Sequence, residues 1–165
     1  MANKIAPQKR IRFLLILFIC ALMLSGLTAI PLQWEVSVLL PFFKLGAQWG
    51  IVFPSLMQWM GKINQGIQNG YGQYPFLAYG TDWLAFGHIV IAIAFIGPLR
   101  DPVRNIWVVE FGMIACALII PWTLIFGAIR QIPFFWQCID MSFGIFGFIP
   151  LWVVYQDILL ISDKV

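Results

Sequence analysis

Four long apolar runs decide what this chain can be. Residues 13–34 carry no charged side chain before Glu35, and runs of similar character cover residues 81–99, 102–129 and 133–161. A helix rising 1.5 Å per residue needs about 20 residues to cross about 30 Å of hydrocarbon, so each run has the length to span a bilayer. Composition removes the main alternative. The 165 residues are 61% hydrophobic and 10% charged, against roughly 45–50% and about 25% in soluble domains. No soluble globule of this size could hide so much apolar surface. The sequence therefore predicts an all-α integral membrane protein, one membrane domain over residues 1–165 with four transmembrane helices at about 12–34, 81–99, 102–129 and 133–161. Nucleic-acid binding and intrinsic disorder are poorly supported.

Lys4, Lys9, Arg10 and Arg12 precede the first run. A basic start followed by an apolar core also describes a secretory signal peptide, with residues 25–29 as the cleavage region. Leu27 would then fill a site that demands a small residue. The expectation is an uncleaved anchor.

Residues 34–69 are apolar as well, but their polar members fall at Lys44, Gln48, Ser55, Gln58, Lys62, Gln65 and Asn69. At 100° per residue these lie within about 60° of one line, which predicts an amphipathic segment lying in the membrane interface between the first and second spans. The same stripe could instead line a groove facing other spans. Pro41 and Pro54 each lack an amide donor, so two shorter helical pieces with a bend before Pro54 are expected. Gly61, Gly66, Gly70, Gly72 and Gly80, with Tyr71, Tyr74 and Tyr79, then read as a surface loop, the amphipathic segment and loop together covering about residues 35–80. Tyrosines stack on sugars and lipid headgroups, but amphipathic rings also gather at interfaces unaided.

With four spans, both termini share a side, and Asp157, Asp163 and Lys164 read as tail charges closing the chain. That side holds Lys4, Lys9, Arg10, Arg12, Arg100, Arg104 and Lys164, against Lys44, Lys62 and Arg130 opposite. The positive-inside rule assigns both termini to the cytoplasm, in a membrane of the bacterial inner type. A five-span arrangement would divide the charges six to three and bury Lys44 in the bilayer. Between the second and third spans, Arg100, Asp101 and Arg104 form a basic hairpin, with Asp101 fitting an N-cap and Pro102 the first helical position. Three such charges make an ordinary inside loop, and would also face anionic lipid or an acidic partner.

Ionisable residues within spans are costly, so each is a candidate functional residue. Asp82 sits at the outer mouth beside Trp83 and the tyrosines, where it stays hydrated. His88, Glu110 and Asp140 fall deeper and are expected to share a level near mid-membrane. An imidazole flanked by carboxylates could relay protons or hold an ion. A neighbouring backbone carbonyl would satisfy each of the three equally well. One histidine without HxxxH or HExxH spacing is weak evidence for metal, and none is assigned. Cys20, Cys116 and Cys138 offer no disulfide framework or zinc spacing and read as small buried hydrophobes. Asp140, Gly144, Gly147 and Leu151 share one helical face, a packing seam within the bundle or against another subunit.

No phosphate loop, nucleophile elbow or other catalytic motif is present, and no cofactor follows from the residues. Two functional expectations result. The first is a non-catalytic accessory or scaffold subunit of a larger membrane assembly, with the lipid bilayer and other membrane subunits or further copies of itself as partners. The second is a proton- or ion-coupled carrier or membrane enzyme using His88, Glu110 and Asp140.

Overall fold

Hydrocarbon offers no water to an exposed amide, so a lipid-solvated chain must pair its backbone groups internally. A computed structural model describes residues 5–162, and the expectations resting on Lys4, Asp163 and Lys164 lie outside the described residues. Among the described residues all regular structure is helical. Four stretches are long and apolar enough to cross a membrane: Pro7–Ala29, Pro75–Arg100, Ile106–Ile129 and Phe134–Ser162. The shortest has 23 residues, about 34 Å at the helical rise. The chain is an all-α membrane protein.

Helix α1 (Ile5–Ala29) is followed by α2 (Leu32–Gln48) and α3 (Pro54–Gln73). The first span stops at Ala29, short of the expected residue 34, because Pro31 lacks a donor and restricts Ile30 before it. Pro54 opens α3 at a position whose amide has no helical partner, whereas Pro41 lies inside α2. The bend expected before Pro54 is a full reversal. Helices α2 and α3 pack on each other, and Gln33 Nε2 near the start of α2 donates to Gln68 Oε1 near the end of α3, 2.7 Å away.

The loop expected over residues 61–80 is instead helix. Helix α3 runs through Gly61, Gly66, Gly70 and Gly72, a 3₁₀ turn covers Pro75–Ala78, and α4 (Tyr79–Ala94) starts directly after it. Each interior glycine costs about 1 kcal/mol relative to alanine. That cost does not break a helix that meets no further proline before Pro75, packs on α2 and buries Met60.

The reversal also divides the polar stripe. Lys44 and Gln48 belong to α2, while Ser55, Gln58, Lys62, Gln65 and Asn69 recur every three or four residues along α3, all exposed.

Helix α4 breaks at Phe95, and α5 (Ile96–Arg100) completes the second span. Gly97 and Pro98 therefore sit in the first turn of a new helix, where proline is tolerated, and do not end the span. The third span was expected from Pro102, but α6 (Ile106–Ile129) starts four residues later. Asp101 is not its cap and Pro102 is not its first residue: Asn105 holds the capping position, and the Asp101 Oδ1 accepts the Arg104 backbone N–H at 3.1 Å inside the turn that precedes the helix. Asn105 then clamps the corner, its Nδ2 donating to the carbonyls of Asp101 at 2.9 Å and Gly97 at 3.3 Å. Helix α7 (Phe134–Ser162) matches the expected fourth span closely.

The chain forms two compact units, Met1–Leu22 with Val90–Val165, and Met23–Ile89. The core of the first gathers Ile11 and Leu15 from α1, Phe95, Val108, Val109 and Cys116, and Leu151, Val154, Ile158 and Ile161 from α7. The α7 members recur at three- and four-residue intervals, a single stripe facing the other helices. Phe18 closes this core against Phe95, their ring centroids 4.7 Å apart.

Helices α6 and α7 run antiparallel, joined by a glycine seam. A Cβ at Gly144 would stand 2.5 Å from the Cys116 carbonyl oxygen, one at Gly147 2.8 Å from Cys116 Sγ, and one at Gly112 2.8 Å from Leu151 Cδ1. The face expected from Asp140, Gly144, Gly147 and Leu151 is a packing seam within the bundle. In the second unit, Gly26 of α1 plays the same part against α4, where a Cβ would meet His88 Cβ at 2.9 Å and the Ala85 oxygen at 3.0 Å. Cys116 is buried, but Cys20 and Cys138 are exposed. These two lie on outward helix faces, so the reading of all three as buried holds only for Cys116.

Candidate functional site

His88 is half-buried on α4 within the Met23–Ile89 unit. Its Nδ1 lies 2.8 Å from the Leu84 carbonyl oxygen. A carbonyl can only accept, so Nδ1 carries the proton of this bond. The close approach of Gly26 fixes the base of the side chain. This is the simple solution for a lone histidine in a span: its polar edge is returned to its own helix.

Glu110 and Asp140 lie in the other unit, and the α6–α7 pairing fixes their levels. Gly127 faces Gln137, Cys116 faces Gly144 and Gly147, and Gly112 faces Leu151. Asp140 is thus level with about residue 124 of α6, and Glu110 stands some fourteen residues before it, about 20 Å along the axis. The structure does not bring these two carboxylates together. Their meeting was expected from depths counted from opposite membrane faces, which take no account of the register between the two helices. With α6 starting at Ile106, Glu110 is four residues into the helix, about 6 Å from its end. Both side chains are half-buried. Among the described residues no three His, Cys, Asp or Glu side chains gather to hold a metal ion.

The most engaged charged group is one that sequence reasoning set aside as a tail charge. Asp157 of α7 is 1% exposed, and its carboxylate accepts both the Nε of Arg10, at 2.6 Å, and the Nη2. Two parallel bonds from one guanidinium make a bidentate pair, the strong form of this interaction. It ties the start of α1 to the end of α7. Gln137 was likewise missed. It is 6% exposed, and its Nε2 donates to the Ile132 carbonyl at 2.7 Å, sealing the α6–α7 turn. Gly127 is bare because that amide group fills the space a side chain would need. The only sequence signal for either was a polar residue at helical spacing from an apolar core stripe.

The aromatic residues expected on the outer side form ladders. Tyr79 meets Trp83 edge-on at 5.9 Å, Trp83 meets Phe86 at 5.5 Å, and Tyr74 meets Phe76 at 6.1 Å. Tyr79, Asp82, Trp83 and Phe86 line a shallow cleft of about 240 Å³. Asp82 is exposed there, and Tyr71 is half-buried in α3. At the opposite end of the second span, Arg100 and Arg104 are exposed, the Arg104 guanidinium 4.0 Å from the Asp101 carboxylate. An exposed pair of this length contributes little to stability. No protein-family model, curated protein or solved structure matches the chain.

Proposed function

We propose that this protein is a non-catalytic accessory or scaffold subunit of a larger membrane assembly. The observation that carries the reading is how the polar groups of the spans are used. Asp157 and Arg10 tie the two ends of the chain, Gln137 seals a turn, and His88 bonds its own helix. Each such group holds the bundle in shape. A proton relay or carrier would need its ionisable groups within reach of one another, and about 20 Å separates Glu110 from Asp140 along the helix axis. Outward, α6 presents Phe111, Ile114, Leu118, Trp122, Ile125 and Ile129, all exposed and three or four residues apart. That stripe suits lipid tails or the helices of neighbouring subunits equally well. The pairing of Arg10 with Asp157 supports an even number of crossings, four rather than five. By the positive-inside rule both ends then face the cytoplasm, and the polar stripe of α3 suits a membrane interface, turned toward water.

Native mass measurement after extraction in mild detergent tests the proposal. The expected result is a particle heavier than one chain and its detergent, with additional polypeptides present. A monomer alone would overturn it.

A further inference from the structure

We propose that the reversal between α2 and α3 is a membrane-inserted tip, holding Trp49 and Ile51 at the boundary between lipid headgroups and acyl chains. The argument rests on how this turn is built. Gly50, at φ +69°, takes the left-handed conformation that ends a helix. The Gly50 N–H donates to the Ala47 oxygen at 3.1 Å and the Ile51 N–H to the Gly46 oxygen at 2.9 Å. These two bonds define a Schellman motif, which satisfies the last carbonyls of α2. In such a motif the residue in the position of Ile51 commonly folds back onto the helix. Here Val52 takes that place, reaching so close to Gly46 that a Cβ there would stand 2.8 Å from Val52 Cγ2. Ile51 is left 81% exposed and Trp49 75% exposed. A turn with these amides paired and with Trp49 and Ile51 turned outward is shaped to present them.

The chemistry around the tip selects a lipid surface as the occupant. The chain already spans a bilayer, so the tip is tethered near one. Tryptophan favours the headgroup level, where its ring is buried and its indole N–H stays wet. Lys44 is exposed and five residues before Trp49, about 7.5 Å back along α2. A lysine there reaches phosphate while its stem lies against acyl chains. The far end of the hairpin is polar, with the Gln33–Gln68 bond and exposed Gln65 and Asn69. An immersion of about 5–10 Å is the depth such interfacial elements reach. The inference goes beyond the subunit reading and does not depend on it.

The test is spin-label accessibility on the full chain in nanodiscs of zwitterionic and anionic lipid. In a background of Cys20→Ser, Cys116→Ala and Cys138→Ser, a nitroxide is attached at Ile51→Cys, with Phe146→Cys on the outward face of α7 as a lipid reference and Gln65→Cys on α3 as a water reference. The expected result is that oxygen collides with the label at residue 51 several-fold more, relative to a water-soluble nickel chelate, than with the label at residue 65, approaching the ratio at residue 146. A label at residue 51 as open to nickel as that at residue 65 places the tip in water and overturns the proposal. A label at residue 51 shielded from both reagents places it in a protein contact and overturns it too. Retained α-helical circular dichroism in each variant shows that the comparison is made on folded protein.

Discussion

Replacing Gly144 by alanine puts one methyl group where the α6–α7 seam has no room. The added carbon would stand 2.5 Å from the Cys116 carbonyl oxygen, about 1 Å inside a comfortable contact of about 3.5 Å. That oxygen belongs to the backbone of α6 and cannot rotate away, so the helices must part. Overpacking of this kind costs about 1–3 kcal/mol, and alanine returns up to about 1 kcal/mol of helix propensity. With a rigid neighbour the upper part of the range applies, leaving a net loss of about 2 kcal/mol, or about 4–8 °C in Tm for a chain of this size. Thermal unfolding in detergent, followed by circular dichroism, measures it. A neighbouring substitution sharpens the test. At Gly147 the obstacle is Cys116 Sγ, 2.8 Å away, so Cys116→Ala should rescue Gly147→Ala and leave Gly144→Ala uncorrected. Gly66, whose added methyl meets nothing within 4 Å, should gain up to about 1 kcal/mol on replacement by alanine. If Gly144→Ala is as stable as the parent, or Cys116→Ala rescues it, the argument from backbone contact is refuted.

Other measurements bear on the remaining features. Arg10→Ala leaves a buried carboxylate without its partner, whereas Asp157→Asn removes the charge itself. The first should lower Tm more than the second, and the double variant should resemble Asp157→Asn; additive losses would show that the two side chains do not interact. Gln137→Leu leaves the Ile132 carbonyl without its side-chain donor, an expected cost of about 1–3 kcal/mol, and an unchanged Tm would sink that role. Spin labels at Glu110→Cys and Asp140→Cys should report a pulsed-EPR separation centred at or above about 20 Å, the axial distance set by the helix register. A contact-range distance would restore the carboxylate cluster.

Length and hydropathy made the spans legible, since a bilayer imposes one dimension on every crossing helix. The glycine face of α7 was legible for a similar reason, because small residues at helical spacing have few uses besides close approach. Register was not. Whether Glu110 reaches Asp140 depends on how α6 and α7 are registered, and Gly127 opposite Gln137 with Gly112 opposite Leu151 sets the two carboxylates about 20 Å apart along the axis. The glycines of α3 were read by their local preference for turns, which packing against α2 overrides. The polar stripe over residues 44–69 was measured as if one helix carried it, and a reversal invisible to periodicity reset the phase. Asp157 resembled a tail charge because its partner lies 147 positions away, and no local pattern joins residues so far apart.

That separation governs the order in which the protein can be made. Arg10 leaves the ribosome long before Asp157 exists, and at about 5–20 residues per second the guanidinium waits on the order of ten seconds for its counter-ion. Throughout that interval α1 lacks the helix that closes its basic end, while residues 23–89 emerge before the chain returns to the unit that holds the first part of α1. The last helix is therefore the latch of the first. A chain stopped anywhere before Asp157 leaves the Arg10 guanidinium without the carboxylate that matches it.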